Sequence, residues 1–152
     1  MRALRPAVVL ALVALDRVTK VWAFHTLRTG GSIRVLPFFE LSYAENTGAA
    51  FSLGCGFGHA ANAFFIAVSA ALTVFLIRQM RRWPQNDLWL QAGGTLVLAG
   101  ALGNLYDRLA YRYVVDFLYL HHWPIFNVAD SCITVGACLL AWGLREEDPK
   151  TA

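Results

Sequence analysis

The chain has 152 residues, room for one domain and too few for two of ordinary size. Hydrophobic residues make up 57% and charged residues 15%, against about a quarter charged in soluble domains, an excess that a soluble core of this size cannot bury. The formal charge of +3 is modest and no Lys/Arg-rich run is interleaved with aromatics, which argues against nucleic-acid binding.

In chain order, four stretches approach the roughly 20 apolar residues that a membrane-spanning helix needs. They cover residues 7–24, 59–77, 88–105 and 128–144. The first follows Arg2 and Arg5, as a cleaved secretory leader would. Asp16 and Lys20 nevertheless fall where a cleavage region would be, and Val21 to Phe24 prolong the apolar run, so the segment is read as retained. A charge at membrane depth costs roughly 2.5–3.5 kcal/mol on insertion scales, so each one needs a reason. Asp16 and Lys20, four apart, share a helix face and can neutralise each other.

Between the first two spans, Ile33 to Leu36 and Phe38 to Tyr43 are rich in β-branched and aromatic residues, punctuated by Gly30, Gly31 and Pro37. They are expected to form a small sheet on the outer membrane surface. The third span ends in Asn104, Asp107 and Arg108, three polar residues on one face, while Gly94, Gly100 and Gly103 would let another helix approach closely. Asp116 sits between Val114-Val115 and Phe117-Leu118, an apolar setting foreign to a solvated loop residue. Asp130 opens the fourth span, where a carboxylate could simply complement the helix dipole.

Lys and Arg set the orientation. With both ends inside, seven (Arg2, Arg5, Arg78, Arg81, Arg82, Arg145, Lys150) face the cytoplasm and four (Arg28, Arg34, Arg108, Arg112) face outward. Both aspartates then map to the outer mouth of the bundle. Two carboxyls at contact distance cannot both ionise cheaply; they share a proton, an arrangement suited to hydrolysing a peptide through an activated water. No GxSxG, HExxH, P-loop or GxGxxG occurs. His25, His59, His121 and His122 lack metal-ligand spacing, with His121-His122 placed at the interface beside Trp123, and Cys55, Cys132 and Cys138 are read as packing residues. A four-span transporter using Asp16, Lys20, Asp107 and Asp116 as a proton relay would spread its ionisable residues through the membrane depth. A catalytically silent assembly protein would tolerate Asp→Asn changes at both outer positions.

Four blocks resemble the bacterial lipoprotein signal peptidases (signal peptidase II): Asp16 to Lys20, Asn46 to Ser52, Gly103 to Leu109 with Val114 to Phe117, and Phe126 to Ser131. The resemblance covers most of the chain. It implies an all-α integral membrane protein of four transmembrane helices with a small β-rich element in the first outer loop, one domain over 1–152. It implies an inner-membrane aspartyl endopeptidase, its site near the outer face and open to substrate from the surrounding membrane lipid; the Lys/Arg count keeps both termini cytoplasmic, and nothing in the sequence demands more than a monomer. The substrate would be a diacylglyceryl-modified prolipoprotein cut just before the lipidated cysteine, with no metal or organic cofactor, and globomycin would inhibit. Asp116 and Asp130 match the catalytic pair, Asn46, Arg108 and Asn127 substrate-binding positions, and Asp16, Lys20, Asn104 and Asp107 supporting ones. Three features depart from the family pattern. Arg17 replaces a frequent Gln on what is read as an outward face, the stretch between the aspartates is short, and Arg112 stands where Gly is usual. A turn with φ > 0 at Arg112 would be strained.

Overall fold

A computed structural model describes residues 4–48 and 58–146. Cys55 and the second half of the Asn46–Ser52 block lie outside the described residues. Four helices carry the architecture: α1 (Leu4–Gly30), α2 (Gly58–Arg82), α3 (Leu88–Tyr111) and α4 (Val128–Glu146). The first three run five or six residues past the C-terminal ends expected for their apolar cores, and α4 runs two. Three of them are long and apolar enough to cross a membrane, over Ala60–Arg82, Leu88–Tyr111 and Val128–Arg145. The longest helix, α1, has 27 residues but carries Asp16, Arg17 and Lys20 inside its apolar run.

The polarity pattern is the reverse of a soluble bundle. Asp16, Lys20, Asn62, Gln91, Thr95, Asp107 and Arg108 are buried in the helices, while Leu10, Val18, Phe64, Phe75, Leu88 and Trp142 face outward. Helix packing depends on α3, which lies against each of the other helices. A Cβ on Gly93 would stand 2.8 Å from the Gly136 carbonyl oxygen, so α3 and α4 approach closely there. At the same, N-terminal end of α3, buried Gln91 donates to the carbonyls of Met80, Trp83 and Pro84 at 3.2–3.3 Å and accepts from Arg5 Nη1 at 2.5 Å. One amide thereby ties α1, the α2–α3 loop and α3 together. Asp87 caps α3, accepting from the Leu90 amide at 2.9 Å.

The expected sheet forms from β1 (Ile33–Leu36) and β2 (Phe39–Asn46), and it gains a third strand, β3 (Val114–Leu120), in antiparallel order β1-β2-β3. The segment around Asp116 is apolar as expected, and its strand conformation goes beyond that expectation. The partner strand is 68 or more residues upstream, beyond the reach of local pattern. Pairing of Ala44 with Asp116 and Asn46 with Val114 brings the end of the first loop beside Asp116.

Arg112 caps the C-terminus of α3 in the left-handed conformation, φ 67° and ψ 8°, its N–H bonded to the Arg108 carbonyl at 3.2 Å. A position that suits Gly is thus filled by Arg, at a cost of about 1–2 kcal/mol. Two expectations are corrected. Arg17 is not an outward residue: it pairs with Asp107, and its guanidinium lies 5.3 and 5.1 Å from the ring centroids of Tyr106 and Tyr111. Cys132 is buried as a packing residue should be, but Cys138 is exposed.

Candidate active site

The site lies where the middle of α1, the C-terminal half of α3, the strand β3 and the first turn of α4 converge. Lys20, wholly buried, is the electrostatic centre of its inner layer. Its ammonium lies 2.8 Å from Asp16 Oδ2 and 3.0 Å from Asp107 Oδ2, and it donates to Asn104 Oδ1 at 3.0 Å. These two carboxylates also hold backbone. Asp16 Oδ1 accepts the Ala129 amide at 2.9 Å, and Asp107 Oδ2 accepts the Val115 amide at 3.3 Å. Each amide belongs to the residue immediately before one of the two outer aspartates. The buried ion cluster therefore positions both.

Asn127 joins the aspartates directly. Its side-chain amide donates to Asp116 Oδ1 at 2.6 Å and reaches Asn104 Oδ1 at 3.3 Å. Its backbone N–H donates to Asp130 Oδ2 at 3.2 Å, while the Asp130 N–H returns to Asn127 Oδ1 at 2.9 Å. That reciprocal pair is a capping box at the start of α4, so the helix-terminus reading of Asp130 holds together with its place in the site. Asn104 donates to Asp130 Oδ1 at 2.8 Å, and Asn46 to Asp116 Oδ2 at 3.0 Å.

Asp116 is 2% exposed. Burial first and the charge of Asp130 second push its carboxyl up to about 6, although the amides of Asn46 and Asn127 and the charge of Lys20 favour ionisation. The charges of the cluster are nearly balanced. Four carboxyls (Asp16, Asp107, Asp116, Asp130) stand against three cations (Arg17, Lys20, Arg108). One proton on the outer pair makes the cluster neutral.

Eight of the nine site residues singled out from the sequence are linked by these hydrogen bonds and ion pairs. The ninth, Arg108, is 8% exposed, and its charge interacts with Asp107, Asp116 and Asp130 across the site. Its guanidinium packs over the Phe65 ring, 4.4 Å from the centroid. Phe65 and Asn62 of α2 escaped the sequence reading. A signal existed for Asn62, since an amide inside an apolar span is expensive. His121 lies 3.4 Å from Glu40 Oε1, linking the turn after β3 to β2.

Comparison with known proteins identifies the family. The family model for signal peptidase (SPase) II matches residues 8–145. A lipoprotein signal peptidase of Thermodesulfovibrio yellowstonii is 42% identical over 135 residues, covering 86% of this chain and 87% of the relative. One from Pseudoalteromonas translucida is 39% identical over 146 residues, covering 93% and 88%. A solved bacterial membrane enzyme, determined by the in meso method at 2.3 Å resolution, superposes with a TM-score of 0.85 at 30% identity, covering 99% of this chain and 92% of its own.

Proposed function

Since the chain belongs to the signal peptidase II family, whose members remove signal peptides from lipoproteins, we propose that it is an aspartic endopeptidase with Asp116 and Asp130 as its catalytic pair. The observation that carries this reading is the double link through Asn127, which holds both carboxyls in one network against a charge balance that favours a single shared proton. The ionised member takes a proton from a water between them. The protonated member hydrogen-bonds the scissile carbonyl and stabilises the tetrahedral intermediate. Burial and the neighbouring charge favour Asp116 as the seat of the proton.

Asn46 and Asn127 orient Asp116, and Arg108 and Asn127 line the path of the substrate backbone. Asp16, Lys20, Asn104 and Asp107 keep the two aspartates at a fixed separation. The substrate is a diacylglyceryl-modified prolipoprotein, cut just before its lipidated cysteine.

All four helices cross the bacterial inner membrane with both termini cytoplasmic. For α1 the support is that its mid-helix charges are paired inside the bundle, Asp16 with Lys20 and Arg17 with Asp107, and need no lipid contact. Arg78, Arg81 and Arg82 close α2 on the cytoplasmic side, which puts the site at the outer face. The exposed apolar residues Ile33, Val35, Leu36 and Phe38 of β1 and the following turn rest on the membrane surface there. Every element of the site comes from one chain, as a monomer requires.

The experiment is to incubate the purified chain with such a prolipoprotein and identify both products by mass spectrometry. The reading expects a signal peptide ending at the residue before the lipidated cysteine, and its release blocked by globomycin. Cleavage elsewhere, or none with verified substrate and folded protein, refutes it.

A further inference from the structure

On the α2 side of the site, two buried polar atoms have no hydrogen-bond partner among the described residues: Oδ1 of Asn62 and Nη1 of Arg108. The two residues are 9% and 8% exposed. Buried polar groups in folded proteins are nearly always bonded, so a pair of orphans beside a reaction centre calls for an occupant. Neither side chain is loosely held. Asn62 donates through Nδ2 to the Arg108 carbonyl at 3.4 Å, the same carbonyl that accepts the Arg112 N–H. Phe65, one helical turn along α2, supports the Arg108 guanidinium at 4.4 Å. The Phe65 ring is in turn fixed by Gly48, where a Cβ would stand 2.4 Å from it.

One orphan is an acceptor and the other a donor. An extended peptide presents the N–H and C=O of a single residue along one edge, the same pairing that joins antiparallel strands. An acyl chain offers neither group and would leave both atoms unmet. Arg108 also interacts electrostatically with Asp116 and Asp130, so whatever it binds lies beside the carboxyl pair.

We propose that Asn62 Oδ1 and Arg108 Nη1 form a backbone clamp for the peptide substrate, Asn62 accepting the N–H and Arg108 donating to the carbonyl of one extended residue next to the scissile bond. The clamp rests on the peptidase reading above and adds Asn62 to the substrate-binding set. It grips main chain and not side chain, so it fixes the register of the peptide without restricting its sequence at that position.

The test uses diacylglyceryl-modified prolipoprotein peptides in which one backbone amide at a time, other than the scissile one, becomes an ester. Each ester removes a single N–H. With the wild type, one position loses about tenfold in kcat/KM and its neighbours lose far less. Asn62→Leu, which has no acceptor, cleaves the amide and ester forms of that substrate equally. Asn62→Asp keeps an acceptor oxygen and keeps the discrimination. A wild type indifferent to every ester overturns the clamp, as does an Asn62→Leu variant that retains the position-specific loss. An Asn62→Leu variant slowed alike on all substrates, discrimination intact, would show that Asn62 only braces the end of α3, and the clamp fails. Should Asn62→Leu not fold, the wild-type series and Asn62→Asp decide. Failure of the wild type to cut even the all-amide peptide refutes the peptidase reading itself, a distinct result that takes the clamp with it.

Discussion

A Cβ on Gly100 would stand 2.3 Å from the carbonyl oxygen of Ala129, so α3 and α4 touch backbone to backbone one residue before Asp130. The Ala129 amide is bonded to Asp16, which brings α1 to the same point. Three helices are thereby locked at the residue that sets the position of one carboxyl of the proposed catalytic pair. Even Gly100→Ala is expected to push α4 outward, lowering stability by about 1–3 kcal/mol and reducing cleavage more than that loss alone explains. Thermal unfolding in detergent, run beside an activity assay at a temperature where the variant is folded, checks both parts.

Lys20 stands between Asp16 and Asp107, and replacing it by Met would leave two buried carboxylates facing each other. Removing one partner of a buried ionic network typically costs 3–5 kcal/mol. Lys20→Met should therefore accumulate poorly and unfold at markedly lower temperature. Lys20→Arg, too broad for a space closed on all sides, should rescue little of the loss.

The stability of Asp116→Asn relative to the wild type should depend on pH in a defined direction. The folded protein raises this carboxyl from 3.8 to about 6, so it binds the proton more tightly than the unfolded chain does. Below about pH 4 both states carry the proton and the site imposes no penalty. As pH rises through 6 the wild type loses stability, on the order of 2–3 kcal/mol in full, and the Asn variant does not. Asp116→Asn should thus melt above the wild type at pH 7–8, with the margin closing near pH 4. A variant less stable than the wild type at neutral pH would contradict the burial argument.

The same carboxyl should set an alkaline limb for catalysis. If the proposed pair needs one proton, burial that holds the Asp116 carboxyl up to about 6 sets where that proton is lost. In the free enzyme, kcat/KM should fall as pH rises through about 6, tending to a tenfold loss per unit. A profile flat from pH 5 to 9 would remove Asp116 from the role of acid.

Much of the site was legible in the sequence because membrane burial makes polar residues conspicuous. Asp16, Lys20, Asn104 and Asp107 stood out as charges and amides in apolar runs, and helical spacing placed each pair on a shared face. What local pattern could not give was long-range pairing. The strand conformation around Asp116 depends on hydrogen bonds to β2, and the packing of Arg108 on Phe65 depends on how α2 rotates against α3. Arg17 was misplaced for a related reason. A guanidinium on the rim of a helix reads as outward until the neighbouring tyrosines and Asp107 are in position. Arg112 was read correctly as a doubtful fit, since the C-terminus of a helix often requires φ > 0 whatever residue occupies it.

If Asp116 and Asp130 act together on water, cleavage must fail in both Asp116→Asn and Asp130→Asn. Each substitution keeps the shape of the side chain and removes one ionisable carboxyl. Folded preparations of both variants should bind the diacylglyceryl-modified prolipoprotein yet release no signal peptide, with losses of at least about a thousandfold against the wild type. Turnover near the wild-type rate by either folded variant would place the catalytic carboxyl elsewhere in the cluster.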